Sequence, residues 1–247
     1  NDFVIVDNRL GVFPKGTDLI KHICDRHFGI GADGLMLLEK SANADFYMRY
    51  YNSDGNESTM CGNGGRCITL FAKNIGLIES STHFMGIDGE HEANFESPNT
   101  INLKMQDVTE IEKGDNFYFL NTGSPHYVCF VEDVQKVDVL VKGKAIRNSY
   151  NLKNGGTNVN FIDFTDDIIN IRTFERGVEF ETLACGTGSV ASTIAYYLLT
   201  KKYKSKYRVQ TQGGELSVMF KQITDTKFED IWLNGPAIHV FDGQISI

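Results

Sequence analysis

No stretch of this sequence is apolar for anything like the ~20 residues that cross a bilayer as a helix, which argues against a membrane span. Positive charge is in deficit: 24 Lys and Arg face 32 Asp and Glu, a net charge of −8. That balance argues against a nucleic-acid partner or an anionic membrane surface, and says little about a small substrate. Cysteine is sparse and odd in number: Cys24, Cys61, Cys67, Cys129 and Cys185, with no C-x-x-C pair. Such a set suits neither a disulfide framework nor a zinc site, so no metal is expected. No signal peptide opens the chain, so a reducing cytoplasm is the expected home. The chain starts at Asn1 without a Met, so further residues are expected before it. What is present is ordinary for a globular protein: 41 % apolar residues, with 17 Phe and 10 Tyr. The 247 residues allow one large domain or two of about half that size.

Hydrophobic periodicity orders the chain. A β-branched strand is expected over residues 3–7, then a helix over 17–28 closed by Gly29, since Leu19, Ile20, Ile23, Cys24, His27 and Phe28 share a face. The glycine-rich segment 29–34 leads into an apolar strand at 35–38. A dinucleotide fingerprint needs a helix after its glycines, so G-x-G-x-x-G here is not one. Strand 45–51 alternates and ends in the turn Asn52-Ser53-Asp54-Gly55. After Cys61 a helix runs to Gly76, followed by a hairpin over 85–95 and a strand over 100–105. Residues 106–116 are polar and make the best linker. Beyond them strands are expected at 127–132, 158–164, 168–174, 207–211, 215–220 and 230–234. Helices are expected at 134–146 and at 189–202, the latter with Lys201-Lys202 facing the negative end of its dipole.

A repeat underlies this order. Met60-Cys61-Gly62-Asn63-Gly64-Gly65 resembles Ala184-Cys185-Gly186-Thr187-Gly188-Ser189, and the cysteines lie half a chain apart (185 − 61 = 124). Arg49-Tyr50-Tyr51-Asn52 aligns with Arg172-Thr173-Phe174-Glu175, Asp88-Gly89-Glu90 with Gly213-Gly214-Glu215, and Asn1-Asp2-Phe3 with Ser124-Pro125-His126. Near-constant offsets over separate segments indicate two homologous halves. The expected halves are 1–106 and 107–237.

Each half therefore offers one thiol at a helix start. There the positive end of the helix dipole favours thiolate, and glycines let the N–H groups of Gly62, Asn63, Gly186 and Thr187 approach an anion such as a carboxylate. One such thiol could be a nucleophile, a base or a redox sensor. Two in equivalent places suit inversion of a stereocentre, which needs a base on one face and an acid on the other and no cofactor. Backbone donors would stabilise the enediolate-like charge that develops. Arg176 could hold a second carboxylate bidentately, and Glu175 could accept from an ammonium. His126 could tune a thiol's protonation, and Asn1, Asn52 and Asn158 could anchor polar groups. Cys24, Cys67 and Cys129 fall in apolar patterns and are expected to be small buried hydrophobes.

Together the motifs Asn1-Asp2-Phe3, Gly29-Ile30-Gly31-Ala32-Asp33-Gly34, Asn52-Ser53-Asp54-Gly55, Cys61-Gly62-Asn63-Gly64, Glu175-Arg176-Gly177 and Ala184-Cys185-Gly186-Thr187-Gly188 resemble the diaminopimelate epimerases over nearly the whole chain. The resemblance implies interconversion of LL- and meso-2,6-diaminopimelate, for lysine and cell-wall synthesis, without a cofactor. It implies an α+β (mixed α/β) fold of two pseudo-symmetric domains, each a curved, mostly antiparallel sheet around a central helix, with the active site in the cleft between them. It also implies that the last strand, 238–247, returns to the first domain, and it suggests a homodimer. By position, Cys61 and Cys185 become the acid/base pair; Gly62, Asn63, Gly186 and Thr187 hold the reacting carboxylate; Asn1, Asn52, Ser124, Asn158, Glu175 and Arg176 bind substrate; and His126 and Glu175 tune the thiols' protonation. Two departures stand out. Ser124 replaces the family's usual Asn and reaches less far, and Gly34 stands where some members carry a substrate-contacting Gln. The rival readings are a histidine or a proline/hydroxyproline racemase on the same fold. Proline racemases tend to carry Cys-Gly-His where this chain has Cys61-Gly62-Asn63, and Glu175-Arg176 favours a substrate with a second charged end. A third reading, of another class, is a thiol switch in which Cys61 and Cys185 form a regulatory disulfide.

Overall fold

A computed structural model describes residues 1–150 and 155–246. The backbone divides into two compact units, Asn1–Leu103 with Pro236–Ile247, and Lys104–Gly235. Among the described residues no helix is long and apolar enough to cross a membrane.

The first unit comprises β1 (Phe3–Asp7), α1 (Thr17–Cys24), β2 (Gly34–Glu39), β3 (Phe46–Asn52), β4 (Glu57–Ser58), α2 (Gly62–Asn74), β5 (Ser81–Gly86), β6 (Gly89–Ser97) and β7 (Thr100–Lys104). Its strands lie in the order β1-β2-β3-β5-β6-β7, with β4 paired to β3. Leu35, Met36, Leu37 and Leu38 are all fully buried, which is why β2 reads as an unbroken apolar run rather than an alternation. Each such side chain contributes roughly 1.5–3 kcal/mol by leaving water. On one face α1 seals Leu35 and Leu37 with Ile20, Ile23 and Cys24, and α2 packs against β1, β2 and β6.

The second unit comprises β8 (Ile111–Lys113), β9 (Phe117–Asn121), β10 (Pro125–Phe130), α3 (Val139–Arg147), β11 (Asn158–Thr165), β12 (Ile168–Glu175), β13 (Phe180–Thr182), α4 (Gly186–Thr200), β14 (Tyr207–Thr211), β15 (Gly214–Gln222) and β16 (Phe228–Pro236). The order is β16-β15-β14-β12-β11-β10-β9-β8, with β13 paired to β12. This sheet wraps α4, which packs against β9, β10, β11, β12, β14 and β15. The helix can be central because Val190, Ala191, Ser192, Thr193, Ile194 and Ala195 are small or apolar all round and fully buried. The Ser189 and Thr193 hydroxyls donate back to the carbonyls of Cys185 and Ser189, at 2.9 and 2.8 Å, so burying them costs little.

The duplication shows in the pairing itself. β1 runs parallel to β2, β2 antiparallel to β3, β3 parallel to β5 and β5 antiparallel to β6. In the second unit β10, β11, β12, β14 and β15 repeat that sequence of senses. Phe3 pairs with Gly34 as His126 pairs with Asn158, and Tyr50 with Ser58 as Thr173 with Thr182. β8 and β9 are additions without a counterpart. The fold is the mixed α/β architecture expected, with one central helix per repeat.

Four local expectations need correction. Helix α1 stops at Cys24, not Phe28: the Asp25 carboxylate accepts from the N–H groups of His27 and Phe28 at 2.7 and 2.8 Å, which turns the chain, and Phe28 is left 80 % exposed. Residues 134–146 are two pieces, a 3-10 turn at Val134–Lys136 and α3, because Asp133 and Asp138 each cap a new start through Gln135 N–H and Val141 N–H. Lys201 takes the left-handed conformation after α4, and Lys202 and Lys204 reach Asp167 at 3.3 and 3.0 Å instead of serving the helix end. Finally, residues 238–246 form no strand, and Ile247 lies outside the described residues. Ile238, Val240 and Phe241 are 65–81 % exposed, so no buried face holds the segment extended.

Candidate active site

In the first unit Cys61 has the extended backbone of a helix N-cap (φ −101°, ψ 152°), and its Sγ accepts from the Gly64 N–H at 3.2 Å. A side chain at Gly64 would stand 3.3 Å from that sulfur, so glycine keeps the turn open around the thiol. The N–H groups of Gly62 and Asn63 fall in the first turn, where a helix supplies no acceptor. A hydrogen-bonded chain runs outward from here. Asn63 Nδ2 donates to Asn1 Oδ1 and Asn1 Nδ2 to Asp33 Oδ2, both at 2.6 Å, while Arg26 holds Asp33 and Asp2 at 2.8 and 2.7 Å. The Arg26 guanidinium keeps the Asp2 carboxyl below the usual carboxylate range. Asn52 ends β3; its main chain bonds Asn56 and Gly55, and among the described residues its carboxamide carries no hydrogen bond. Gly34, its partner in the register, is fixed by packing, since a Cβ there would meet Tyr51 O at 2.5 Å.

In the second unit Cys185 is the N-cap of α4 (φ −125°, ψ 115°) and only 9 % exposed. Its Sγ lies 3.5 Å from Thr187 Oγ1. That hydroxyl is in turn 2.9 Å from His126 Nε2 and 3.2 Å from Ser124 Oγ, and Thr122 Oγ1 donates to Thr187 O at 2.9 Å. His126 is fully buried, with Nδ1 2.9 Å from Asn160 Nδ2. Burial, helped by the charge of Arg176, pushes its pKa down to about 3. It is therefore a neutral imidazole, linked to Cys185 through the Thr187 hydroxyl. Asn160 Oδ1 accepts from Thr173 Oγ1 at 2.9 Å, and a side chain at Gly188 would stand 2.5 Å from the same oxygen.

Glu175 ends β12 and Arg176 follows it. Burial pushes the Glu175 carboxyl up, and Thr182 Oγ1 donates to it at 2.8 Å. Arg176 gives its main-chain N–H to Asn158 Oδ1 at 2.9 Å, while its guanidinium finds only the Gly156 carbonyl, at 3.5 Å, among the described residues. Asn158 donates to Pro125 O at 2.9 Å and Ser124 Oγ at 3.2 Å, so its carboxamide braces the loop that carries Arg176. Burial pushes the Cys24 thiol up to about 11 and Cys129 up to about 12, and raises Cys67.

The sequence profile of diaminopimelate epimerase matches residues 1–109 and 118–240. The chain belongs to that family. It is 49 % identical to the diaminopimelate epimerase of Flavobacterium psychrophilum, over 99 % of this chain and 96 % of the relative. It is 43 % identical to that of Chlorobaculum tepidum, over 100 % and 98 %. Among solved structures, a phenazine biosynthesis protein of the PhzF family from Bacillus anthracis superposes with a TM-score of 0.76 at 17 % identity, covering 98 % of this chain and 92 % of that one. A probable proline racemase from Agrobacterium radiobacter gives 0.67 at 17 %, covering 96 % and 82 %. At these identities the two structures share the fold with this epimerase-family chain and nothing finer.

Sequence reasoning passed over four side chains that order these turns: Arg66, Thr122, Asn160 and Thr173. Asn160 carried a signal, since it lies two residues beyond Asn158 on the same strand and so shares its face. Arg66 also carried one, as a charged residue on the helix that Ile68, Leu70 and Ala72 bury.

Proposed function

We propose that this chain interconverts LL- and meso-2,6-diaminopimelate by proton transfer between two cysteines, in the supply of lysine and peptidoglycan precursors. One observation carries the reading. Cys61 and Cys185 are both N-caps of glycine-led helices at equivalent points of a duplicated topology, in a chain of the diaminopimelate epimerase family. One cysteine, as thiolate, takes the α-proton and becomes a thiol; the other, as thiol, gives its proton to the opposite face and becomes a thiolate. No electron is gained or lost, and no cofactor is required. First-turn N–H groups of Gly62, Asn63, Gly186 and Thr187 hold the carboxylate on which charge develops.

Asymmetry between the turns serves recognition in this reading. Arg176 takes the distal carboxylate, Glu175 the distal ammonium, and Asn1 and Asn52 add polar contacts. A partly buried carboxylate with one hydroxyl donor and a guanidinium that meets no carboxylate among the described residues are complementary to an amino acid's two charges. Ser124 and Asn158 support the loop and the Thr187 hydroxyl. His126, neutral, acts as a hydrogen-bonding partner of Thr187. The family pattern also points to a homodimer acting in the cytoplasm, which sedimentation and cell fractionation would test.

The decisive experiment incubates reduced protein with LL-diaminopimelate in deuterated water, without pyridoxal phosphate. The expected product is meso isomer carrying one α-deuteron, with Cys61→Ser and Cys185→Ser each lowering turnover by at least about 100-fold. Label entering histidine or proline instead would reassign the substrate. Full turnover in both serine variants would end the two-cysteine reading.

A further inference from the structure

Arg66 is the one side chain of the Cys61 turn whose charge nothing so far explains. It is 5 % exposed, it stands in the second turn of α2, near the positive end of the helix dipole, and among the described residues no carboxylate pairs with it. A buried cation in that position is costly unless every donor is satisfied. Its donors go to three acceptors: Nη1 to Gly62 O at 3.1 Å, Nε to Pro236 O at 3.3 Å and Nη2 to Asn63 Oδ1 at 2.7 Å. The last of these has a consequence for Asn63. A guanidinium can only donate, so the carboxamide oxygen must face inward and the nitrogen outward. At the far end of the chain the Asp33 carboxylate can only accept, which orients Asn1 in the same sense. The polarity from Arg66 through Asn63 and Asn1 to Asp33 is thus fixed at both ends, a rare case in which amide orientations follow from chemistry alone.

We propose that Arg66 is a positioning residue that locks Asn63 with its Nδ2 outward, so that the turn after Cys61 offers a ligand only donors. The main-chain N–H groups of Gly62 and Asn63 and the Asn63 amide then present one kind of surface, which accepts a carboxylate and rejects a donor such as an ammonium or a neutral amide's NH₂. Among its described residues the second unit has no such device. Val190 stands at the position equivalent to Arg66, and there Thr187 is held by His126 and Ser124. The two carboxylate-binding turns are therefore built differently, one around a permanent cation and one around a neutral imidazole. This inference rests on the reading of the Cys61 turn as a substrate-carboxylate site.

Two measurements test it. In the unmodified protein, the Asn63 side-chain amide resonances, assigned by their loss in Asn63→Ala, are expected to be shifted and slow to exchange with solvent. In Arg66→Lys, which keeps the charge without the planar fork, and in Arg66→Met, they should move to free-amide values. Free-amide behaviour in the unmodified protein would overturn the inference without any variant having to fold. In kinetics, Arg66→Met should raise KM for diaminopimelate about tenfold with a smaller change in kcat, and should have little further effect in an Asn63→Ala background. An equal Arg66→Met effect in both backgrounds would show that Arg66 does not act through Asn63. An unmodified protein that turns over no diaminopimelate would defeat the proposed function, while the resonance measurement would still decide the role of Arg66.

Discussion

At the scale of single residues, Glu175 shows how a binding group is kept ready at a cost. Its carboxyl is partly buried, the Thr182 hydroxyl is its one hydrogen-bond donor among the described residues, and desolvation raises its pKa. A raised carboxyl pKa contributes stability below the unfolded value of about 4.5 and loses it as pH rises through the folded value. Ionising the group in this setting is a strain that a substrate ammonium would relieve. Glu175→Gln keeps the shape and can still accept from Thr182, but removes that strain. The variant is expected to be at least as stable as the parent at pH 7–8. Its KM for diaminopimelate should rise 10- to 100-fold, the range for losing a hydrogen bond to a charged group, about 1.5–3 kcal/mol. Urea unfolding and steady-state kinetics check the two halves, and a variant that lost stability and kept its KM would make Glu175 structural. Residues of this kind were legible because they sit beside a repeated motif. Asn160 and Thr173 were not: their importance lies in hydrogen bonds to His126 and to each other across strands, and no spacing in the chain announces those.

At the scale of elements, periodicity located strands well where one or both faces are buried, as in β2, β3, β11 and β12. It failed where a side chain overrode it. Asp25 ends α1 early, and Asp133 and Asp138 cut one apolar stretch into two, because a carboxylate accepting main-chain N–H groups competes with the helix ladder. Gly143 raises the opposite question, since glycine inside α3 should cost about 0.5–1 kcal/mol relative to alanine. The helix keeps it because a Cβ there would sit 2.4 Å from Phe174 Cβ, and Phe174 is fully buried in the core that α3 covers. Overpacking typically costs 1–3 kcal/mol, which exceeds the propensity gain. Gly143→Ala is therefore expected to destabilise the protein by roughly 1–2 kcal/mol in urea unfolding. Because Phe174 precedes Glu175, its KM should also rise. A stabilised variant would mean that α3 shifts freely on β12.

At the scale of the molecule, the duplication was legible from four short alignments, and the repeated order of parallel and antiparallel pairs gives it a physical form. What no sequence pattern conveyed is how differently the two copies hold their second helical residue, Asn63 by a cation and Thr187 by a neutral imidazole. That difference should mark the pH dependence of the whole protein. His126 has a folded pKa of about 3 against about 6.5 unfolded. Above pH 6.5 it is neutral in both states and contributes nothing. Between 6.5 and 3 only the unfolded chain binds the proton, so stability falls with pH, by about 1.4 kcal/mol per unit, and below 3 the loss is complete. The carboxylates of Asp2, Asp7, Glu39 and Asp230, held low by their cations, contribute above their unfolded values of 3.8 for the aspartates and 4.5 for Glu39, and lose that contribution as pH falls from there through their folded values. The interval from 6.5 to 4.5 therefore isolates His126 from them. Glu175, which changes in the opposite direction, is present in both proteins when His126→Asn is compared with its parent, and cancels. The stability difference between the two is expected to shift toward the variant by about 1.4 kcal/mol per pH unit through that interval in urea titrations. A difference that stays flat with pH would mean that the imidazole takes up its proton in the fold, and with it the neutral partner assigned to Thr187 would be lost.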